Sequence, residues 1–225
     1  MSSERLEVHI ENGLCKIFQG EARRVFYSTE EAVALALLKI NPAQDVGSMK
    51  WMDFLSTHGI AIGQRGTTVI TVMAYPAKMR TVQWRATSRG EEPLQSLDAI
   101  FPPLLILTQM TGATLVKSFM YLIKPGKERL LNVTGSDPCL APFSYGNVHV
   151  SGKICWGTVA TNGIAHPSEV EDLFFKSGFN GDLWHLDVED ESLADLVKRT
   201  EGRLPSPPVS AHNISVSYAM EVLAR

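Results

Sequence analysis

The chain has 225 residues, of which 44% are hydrophobic and 20% charged, and its formal net charge at pH 7 is -3. A chain of this length can bury a full core without disulfides or metals, and the length favours one domain, or one domain with an appendage. The slightly acidic balance argues against nucleic acid as the main partner, because neutralising phosphates requires a basic face.

The sequence predicts a protein of the cytoplasm. The segment Met1–Glu7 has no apolar core and does not resemble a secretory signal, and the apolar stretch Pro102–Ile123 is interrupted by polar residues, so no membrane span is expected. The three cysteines fit reduced thiols better than a disulfide framework. Neither Cys-x-x-Cys nor His-x-x-x-His spacing occurs, so we expect no metal site and no cofactor.

Residues 1–64 are predicted to form an N-terminal extension that begins with a β-hairpin. Apolar and polar residues alternate from Leu6 to Ile10, Asn12-Gly13 is typical of a type I′ turn, and Leu14–Phe18 forms the returning strand. Arg24–Tyr27 could add a third strand.

A helix is predicted after this hairpin. Ser28 and Glu31 have the spacing of a capping box, and the body of the helix, Ala32–Ile40, is apolar nearly all round. Such a helix is buried either in its own core or at a protein interface. The mixed composition of residues 42–66 suggests a short packed helix or turn.

Residues 65–203 are predicted to form the main domain, which begins with four strand-like runs. The runs are rich in Val, Ile, Thr and aromatic residues, and each pair has turn chemistry between its members. Four successive strands with short turns predict an α+β fold with a four-strand antiparallel meander flanked by helices. The runs are Thr67–Tyr75, Met79–Ala86, Leu104–Gln109 and Ala113–Ile123, and a polar link, Ser88–Pro103, joins the two pairs.

Two further helices are predicted. His166-Pro167-Ser168 begins the first, with Ser168 and Glu171 as its capping box and Ser177-Gly178 at its end. The second runs over Glu191–Arg199, with its leucines on one face. Residues 204–225 are predicted to be a Pro-rich linker and a tail that adds a strand or docks on a partner.

The segment from Asn147 to Cys155 predicts a thiol-based active site. Asn147 lies eight residues before Cys155, with Gly152 and Ile154 between them. A thiolate can attack an acyl carbon, and a nearby amide can donate a hydrogen bond to the oxyanion that develops. Gly152 is predicted to have a positive φ that turns Cys155 outward. Asn147 could equally be a turn residue that bonds local backbone groups.

Four blocks of sequence lie in order around this segment: Phe101–Leu105, Ala141–Phe143, Asn147–Thr158 and Phe174–Phe179. Together they resemble a bacterial family related to ubiquitin-conjugating (E2) enzymes. This family is the prokaryotic E2 family D, which includes the B proteins of the plasmid-borne PRTRC cassette. The Asn, Gly, Ile and Cys spacing is also similar to the signature of E2 enzymes in general, although Tyr145-Gly146 stands where that signature has His-Pro.

The resemblance implies an E2/UBC-like fold and a carrier activity. An E1/ThiF-like adenylating enzyme would pass a ubiquitin-like protein to Cys155 as a thioester, and Asn147 would assist its transfer to an amine or hydroxyl acceptor. A JAB-type peptidase sometimes accompanies such enzymes. Typical E2 enzymes have an acidic residue just past the Cys that helps to deprotonate an acceptor lysine, but here no carboxylate lies between Cys155 and Glu169. Either another group serves, with Glu169, Asp172 and Asp182 as the candidates, or the acceptor is not lysine.

Other residues and functions were weighed against this hypothesis. His149 and His166 are weaker candidates for a base, Trp156 could form a wall of the site or pack in the core, and Cys139 is expected to be structural. A papain-like protease would need its His and Asn about 130 to 150 residues beyond the Cys, and only 70 residues follow Cys155. The alternative that stays open is a non-catalytic E2-variant module that binds a ubiquitin-like protein or an E1-like partner.

Overall fold

The chain divides into two compact units, residues 1–48 and 49–225. The predicted helix Ala32–Ile40, His166 and Ser168 lie outside the described residues. The computed structural model describes residues 6–11, 14–19, 22–27, 50–54 and 60–65 as strand backbone, and residues 67–86, 93–128, 131, 136–164, 167, 169–183, 192–207 and 214–224.

In the first unit, three antiparallel strands form one sheet in the order β1-β2-β3. Glu11 pairs with Leu14, which leaves Asn12-Gly13 to join the first two strands. The predicted hairpin and third strand are therefore confirmed. The strands are β1 (Leu6–Glu11), β2 (Leu14–Gln19) and β3 (Ala22–Tyr27).

The second unit begins with two strands that local pattern did not predict. β4 (Lys50–Phe54) pairs with β5 (Ile60–Arg65), which in turn pairs with β6 (Thr68–Tyr75). The prediction of a short helix or turn over residues 42–66 is therefore wrong for these segments, because pairing with β6 supplies hydrogen-bond partners that no local pattern reveals. The division between units falls after residue 48, whereas the sequence predicted a boundary after residue 64.

The next four strands form one long, bent antiparallel hairpin. Tyr75 pairs with Leu104 and Lys78 with Phe101, so Pro76-Ala77 lies opposite Pro102-Pro103 and the register is unchanged. Prolines cannot donate to the ladder, so the hydrogen bonding is interrupted at this bend. The predicted chain reversal at Pro76 is wrong, and the predicted link Ser88–Pro103 contains a strand. These strands are β6, β7 (Lys78–Arg85), β8 (Gln95–Phe101) and β9 (Leu104–Thr111).

The α+β class is confirmed, although the antiparallel strands occupy partly different residues and pair in a different order from the prediction. β9 turns at Gly112 into β10 (Thr114–Ile123), as predicted. β6 and β7 form one bent strand, and β8 and β9 form its bent partner. Counted in this way, the strands from β4 to β10 form a meander in which each strand pairs with the next along the chain. The six-stranded sheet has the order β11-β10-β9-β6-β5-β4, and a three-stranded sheet has the order β12-β7-β8, with β11 (Leu140–Pro142) and β12 (Gly178–Asn180).

Both faces of β9 and of residues 118–123 of β10 are buried, which explains their largely apolar sequence. Leu104 and Ile106 belong to a core that includes residues of α1 (Glu169–Lys176) and α2 (Leu193–Arg199). Leu105 and Leu107 belong to a second core, covered by α3 (Val216–Ala224). Both helices predicted between residues 166 and 199 are confirmed.

The predicted C-terminal strand is wrong, because residues Val216–Ala224 form α3. The side chains that α3 buries are Val216, Ala219, Met220 and Leu223, whose spacing is that of one helical face. Leu204, predicted to open a linker, is buried and its N–H donates to the Ile100 carbonyl at 3.0 Å. Among the described residues, no helix combines the length and apolar composition needed to cross a membrane.

Candidate functional site

The segment that carries the predicted site lies along the outer edge of β10, next to β11. The N–H of Met120 donates to the Gly152 carbonyl at 2.8 Å, and the N–H of Ile154 donates to the Ser118 carbonyl at 3.0 Å. A tight turn from His149 to Lys153 precedes Ile154, with the N–H of His149 donating to the Lys153 carbonyl at 2.9 Å. The sheet therefore holds the backbone immediately before Cys155.

Gly152 is required by this turn for two separate reasons. Its φ of 88° lies in the left-handed region, as the sequence predicted. A Cβ atom at this position would lie 2.5 Å from Cε1 of Tyr121, a fully buried side chain. The Tyr121 hydroxyl donates to the Ser151 carbonyl at 2.8 Å, and burial raises its pKa above the ordinary value, so it stays protonated and able to donate.

Cys155 is exposed and lies in a cleft of about 370 Å³. Its N–H donates to the Asn147 carbonyl at 2.8 Å, which joins the two predicted residues directly through the backbone. Trp156 combines the two roles that the sequence left open, since it lines the cleft and packs against the core. Its Nε1 donates to Ser118 Oγ at 2.9 Å, and its ring packs edge-on against Phe174. The other lining residues are Arg85, Gly157, Thr158, Val159, Ser177, Gly178, Asn180, Asp182 and Leu183.

The side chain of Asn147 bridges the cleft to β12. Its Nδ2 donates to the Gly178 carbonyl at 2.8 Å, and its Oδ1 accepts from the Asn180 N–H at 3.3 Å. The carboxamide thus both donates to and accepts from the backbone of β12, as a peptide group of a neighbouring strand would do. The backbone of Asn147 has a φ of 56°, a left-handed value that Asn tolerates better than most residues. Asn147 therefore serves both as a turn residue and as part of the cleft.

One donor of Asn147 is held much more weakly than the other. Nδ2 carries two hydrogens, and the first is donated to the Gly178 carbonyl. The second points to Ser177 Oγ, but the distance from Nδ2 to this oxygen is 3.5 Å, the outer limit of a hydrogen bond. Ser177 Oγ itself donates to the Phe174 carbonyl at 2.6 Å. The second hydrogen of the Asn147 amide can therefore be given to another acceptor without breaking the bridge to β12.

A buried ion pair fixes α1, and with it the residues that follow, against the sheet. Arg80 of β7 donates from Nε and Nη2 to Oε1 of Glu171, at 3.0 and 2.5 Å. The guanidinium also lies 4.5 Å from the ring centre of Phe175. Because β12 follows α1 directly and pairs with β7, this ion pair helps to position Gly178 and Asn180 for Asn147.

The structure separates the three candidate carboxylates. Asp182 lines the cleft, and its N–H donates to Asn180 Oδ1 at 3.0 Å. Glu169 and Asp172 lie on α1, are exposed and are not among the residues that line the cleft. Asp182 is therefore the candidate that shares the cleft with Cys155.

The remaining predicted residues lie away from the thiol. His149 is exposed in the turn and is not among the lining residues. Cys139 is fully buried beside β11, and burial raises the pKa of its thiol, which suits the structural role that was predicted.

Sequence analysis missed Arg85, Asn180 and Leu183 as lining residues. The block Phe174–Phe179, which leads into this part of the cleft, and the candidate carboxylate Asp182 pointed to the region around Asn180 and Leu183; nothing in the sequence pointed to Arg85. Within the described part of the chain, no three His, Cys, Asp or Glu side chains are grouped as metal ligands would be.

Comparison of the chain with protein-family models, with curated proteins and with solved structures finds no match in any of the three.

Proposed function

We propose that this protein is an E2-like carrier that accepts a ubiquitin-like protein as a thioester on Cys155 and transfers it to an acceptor. The observation that carries this proposal is the convergence of an exposed thiol, a carboxamide and a carboxylate in one cleft. These are Cys155, Asn147 and Asp182, which come from separate segments of the chain. The antiparallel strands flanked by helices support an E2/UBC-like architecture.

Loading of the carrier would begin with an E1/ThiF-like enzyme that holds the ubiquitin-like protein as its own thioester. The Cys155 thiolate attacks the carbonyl carbon, the thiol of the activating enzyme leaves, and a new C–S bond remains on Cys155. This step requires an exposed thiol, because the attacking sulfur must reach an acyl group on another protein, and Cys155 is exposed. Since the activating enzyme consumes ATP, the proposal places the protein in the cytoplasm.

Transfer would then proceed by attack of an acceptor amine on the thioester. Negative charge develops on the carbonyl oxygen, where the second amide hydrogen of Asn147 can stabilise it. The C–S bond breaks, the Cys155 thiolate leaves, and the amine loses a proton to Asp182 or to water. A JAB-type peptidase is the kind of partner that would reverse the modification.

Cys155→Ala is expected to abolish thioester formation, and Cys155→Ser to replace the thioester by an ester that thiol reductants do not cleave. In the measurement, this chain is mixed with ATP, a ThiF-like enzyme and a ubiquitin-like protein from the same genome. The products are then separated by gel electrophoresis with and without reductant. Cys139→Ala is the matched control, because Cys139 is buried and should leave the adduct unchanged. If the activating enzyme is charged but this chain never is, the protein is instead a binding module for one of those partners.

Asn147→Asp is expected to slow transfer to an amine by about a hundredfold, while loading falls much less. Asp keeps the size and the backbone tolerance of Asn but has no hydrogen to donate to the oxyanion. Single-turnover rates of loading and discharge separate the two steps. Asn147→Gly, which also suits the φ of 56°, guards against a misfolded variant and should show the same split. An equal loss in both steps would rule out the oxyanion role and leave Asn147 as a bridge to β12.

A further inference from the structure

The cleft contains a cation that the proposed transfer does not use. Arg85, the last residue of β7, is partly buried and lines the same cleft as Cys155. No described residue forms an ion pair or a hydrogen bond with its side chain. This contrasts with Arg80 on the same strand, whose guanidinium is held by Glu171 and an aromatic ring.

The position of Arg85 follows from the strand pairing. Arg85 pairs with Asn180 across the parallel ladder between β7 and β12, and Asp182 follows two residues after Asn180. Among the described residues that line the cleft with Cys155, Arg85 is the cationic side chain and Asp182 the anionic one. A guanidinium in a partly closed cleft favours a carboxylate, because its planar set of donors matches the two carboxylate oxygens.

We propose that Arg85 makes the cleft selective for acceptors that carry a carboxylate near the reacting amine. This inference rests on the proposed function and adds the chemical class of its acceptor: the amine approaches Asp182 and the thioester on Cys155, while the carboxylate binds Arg85. An acceptor of this class is an amino acid or a peptide segment in which an acidic group accompanies the amine.

The first experiment needs no transferase activity. Iodoacetate and iodoacetamide alkylate the same thiolate. In each case Cys155 Sγ forms a bond to the methylene carbon and iodide leaves into solution, and the two reagents differ in that one carries a carboxylate and the other a carboxamide. Their rate ratio therefore cancels any effect of a substitution on the reactivity of the thiol. The rates are measured on the full chain from the mass of the peptide that contains Cys155.

Arg85→Gln is expected to lower the iodoacetate-to-iodoacetamide ratio by about three- to tenfold at low salt, the range expected for one charge at a partly exposed site. Arg85→Lys keeps the charge and should retain most of the ratio, which also shows that the effect is not a loss of folding. Lys153→Gln is the matched control, since Lys153 is an exposed cation two residues from Cys155 that does not line the cleft. An unchanged ratio in Arg85→Gln, or an equal fall in Lys153→Gln, would overturn the anion site.

The second experiment tests the acceptor class on the charged protein. Discharge of the Cys155 thioester to ε-aminocaproate should be faster than discharge to ε-aminocaproamide, and Arg85→Gln should remove most of the difference. Equal rates for both amines with the unmodified chain would overturn the proposed acceptor class. If the chain never forms a thioester, the transferase proposal fails, while the alkylation ratio still decides whether Arg85 forms an anion site.

Discussion

Glu171→Gln is expected to lower the free energy of unfolding by about 3 to 5 kcal/mol, the usual cost of leaving one partner of a buried ion pair without its counter-charge. The side chains of Arg80 and Glu171 are only 4% and 7% exposed, so water cannot replace the lost carboxylate. Arg80 would remain charged, because guanidinium groups do not lose their proton in proteins. Urea denaturation at neutral pH measures the loss.

The next residue of the same helix provides the control. Asp172 forms an ion pair with Lys176 at 3.8 Å, but these side chains are 68% and 77% exposed. Asp172→Asn should therefore change the stability by less than about 0.5 kcal/mol, as is usual for solvated pairs on a helix surface. Similar losses in Glu171→Gln and Asp172→Asn would show that the Arg80 pair does not fix α1. The double replacement Arg80→Met with Glu171→Leu should recover much of the stability, because no charge remains buried.

Gly152→Ala is expected to cost about 2 to 5 kcal/mol, the sum of an unfavourable left-handed backbone and a steric overlap in a packed core. The methyl group would meet the ring of Tyr121, which is fully buried and cannot move aside without displacing its neighbours. The measured quantities are the midpoint and the slope of a urea titration, so that a change in stability is separated from a change in the compactness of either state.

Gly163 separates the two contributions. Its φ of 79° is close to the 88° of Gly152, but a Cβ at Gly163 would have no atom within 4 Å. Gly163→Ala should therefore show only the backbone cost, about 1 to 2 kcal/mol. Equal losses at the two positions would mean that the contact with Tyr121 contributes nothing. Since Gly152 immediately precedes the strand segment that holds Cys155, we also expect Gly152→Ala to slow thioester formation while Gly163→Ala does not.

These two substitutions test different supports of one site. The Arg80–Glu171 pair holds α1 and therefore the bonds from Gly178 and Asn180 to Asn147. Gly152 holds the turn against β10 and therefore the backbone of Cys155. The thiol and the amide thus depend on separate anchors, and the hydrogen bond from the Cys155 N–H to the Asn147 carbonyl joins the two residues directly.

Local signals were sufficient for many elements. The alternation in β1 and β2, the turn at Gly112 between β9 and β10, and the presence and C-terminal ends of α1 and α2 could all be predicted, because turns and helix ends depend on a few neighbouring residues. Gly152 was predicted with a positive φ, and Cys155 was predicted to face outward, for the same reason. The carrier function itself stays a prediction, since it came from the order of four sequence blocks.

The errors have a common physical origin in contacts between distant residues. Pro76 was interpreted as a turn, although it lies at a bend where β6 continues into β7, because a proline ends a hydrogen-bonded ladder equally well in both cases. Val216 and Tyr218 are predicted to belong to a strand, but they lie in a helix. The apolar side chains on the second face of β9 and β10 must be buried. The spacing of Val216, Ala219, Met220 and Leu223 allows one face of a helix to bury them.

The sequence by itself therefore determined many of the local elements and the short segment that links the thiol of Cys155 to the amide of Asn147. Only the tertiary structure decided that Arg85 and Asp182 lie in the same cleft as Cys155. Arg85 precedes Cys155 by 70 positions and Asp182 follows it by 27. No spacing rule connects residues so far apart, because the pairing of β7 with β12 depends on how the whole core packs.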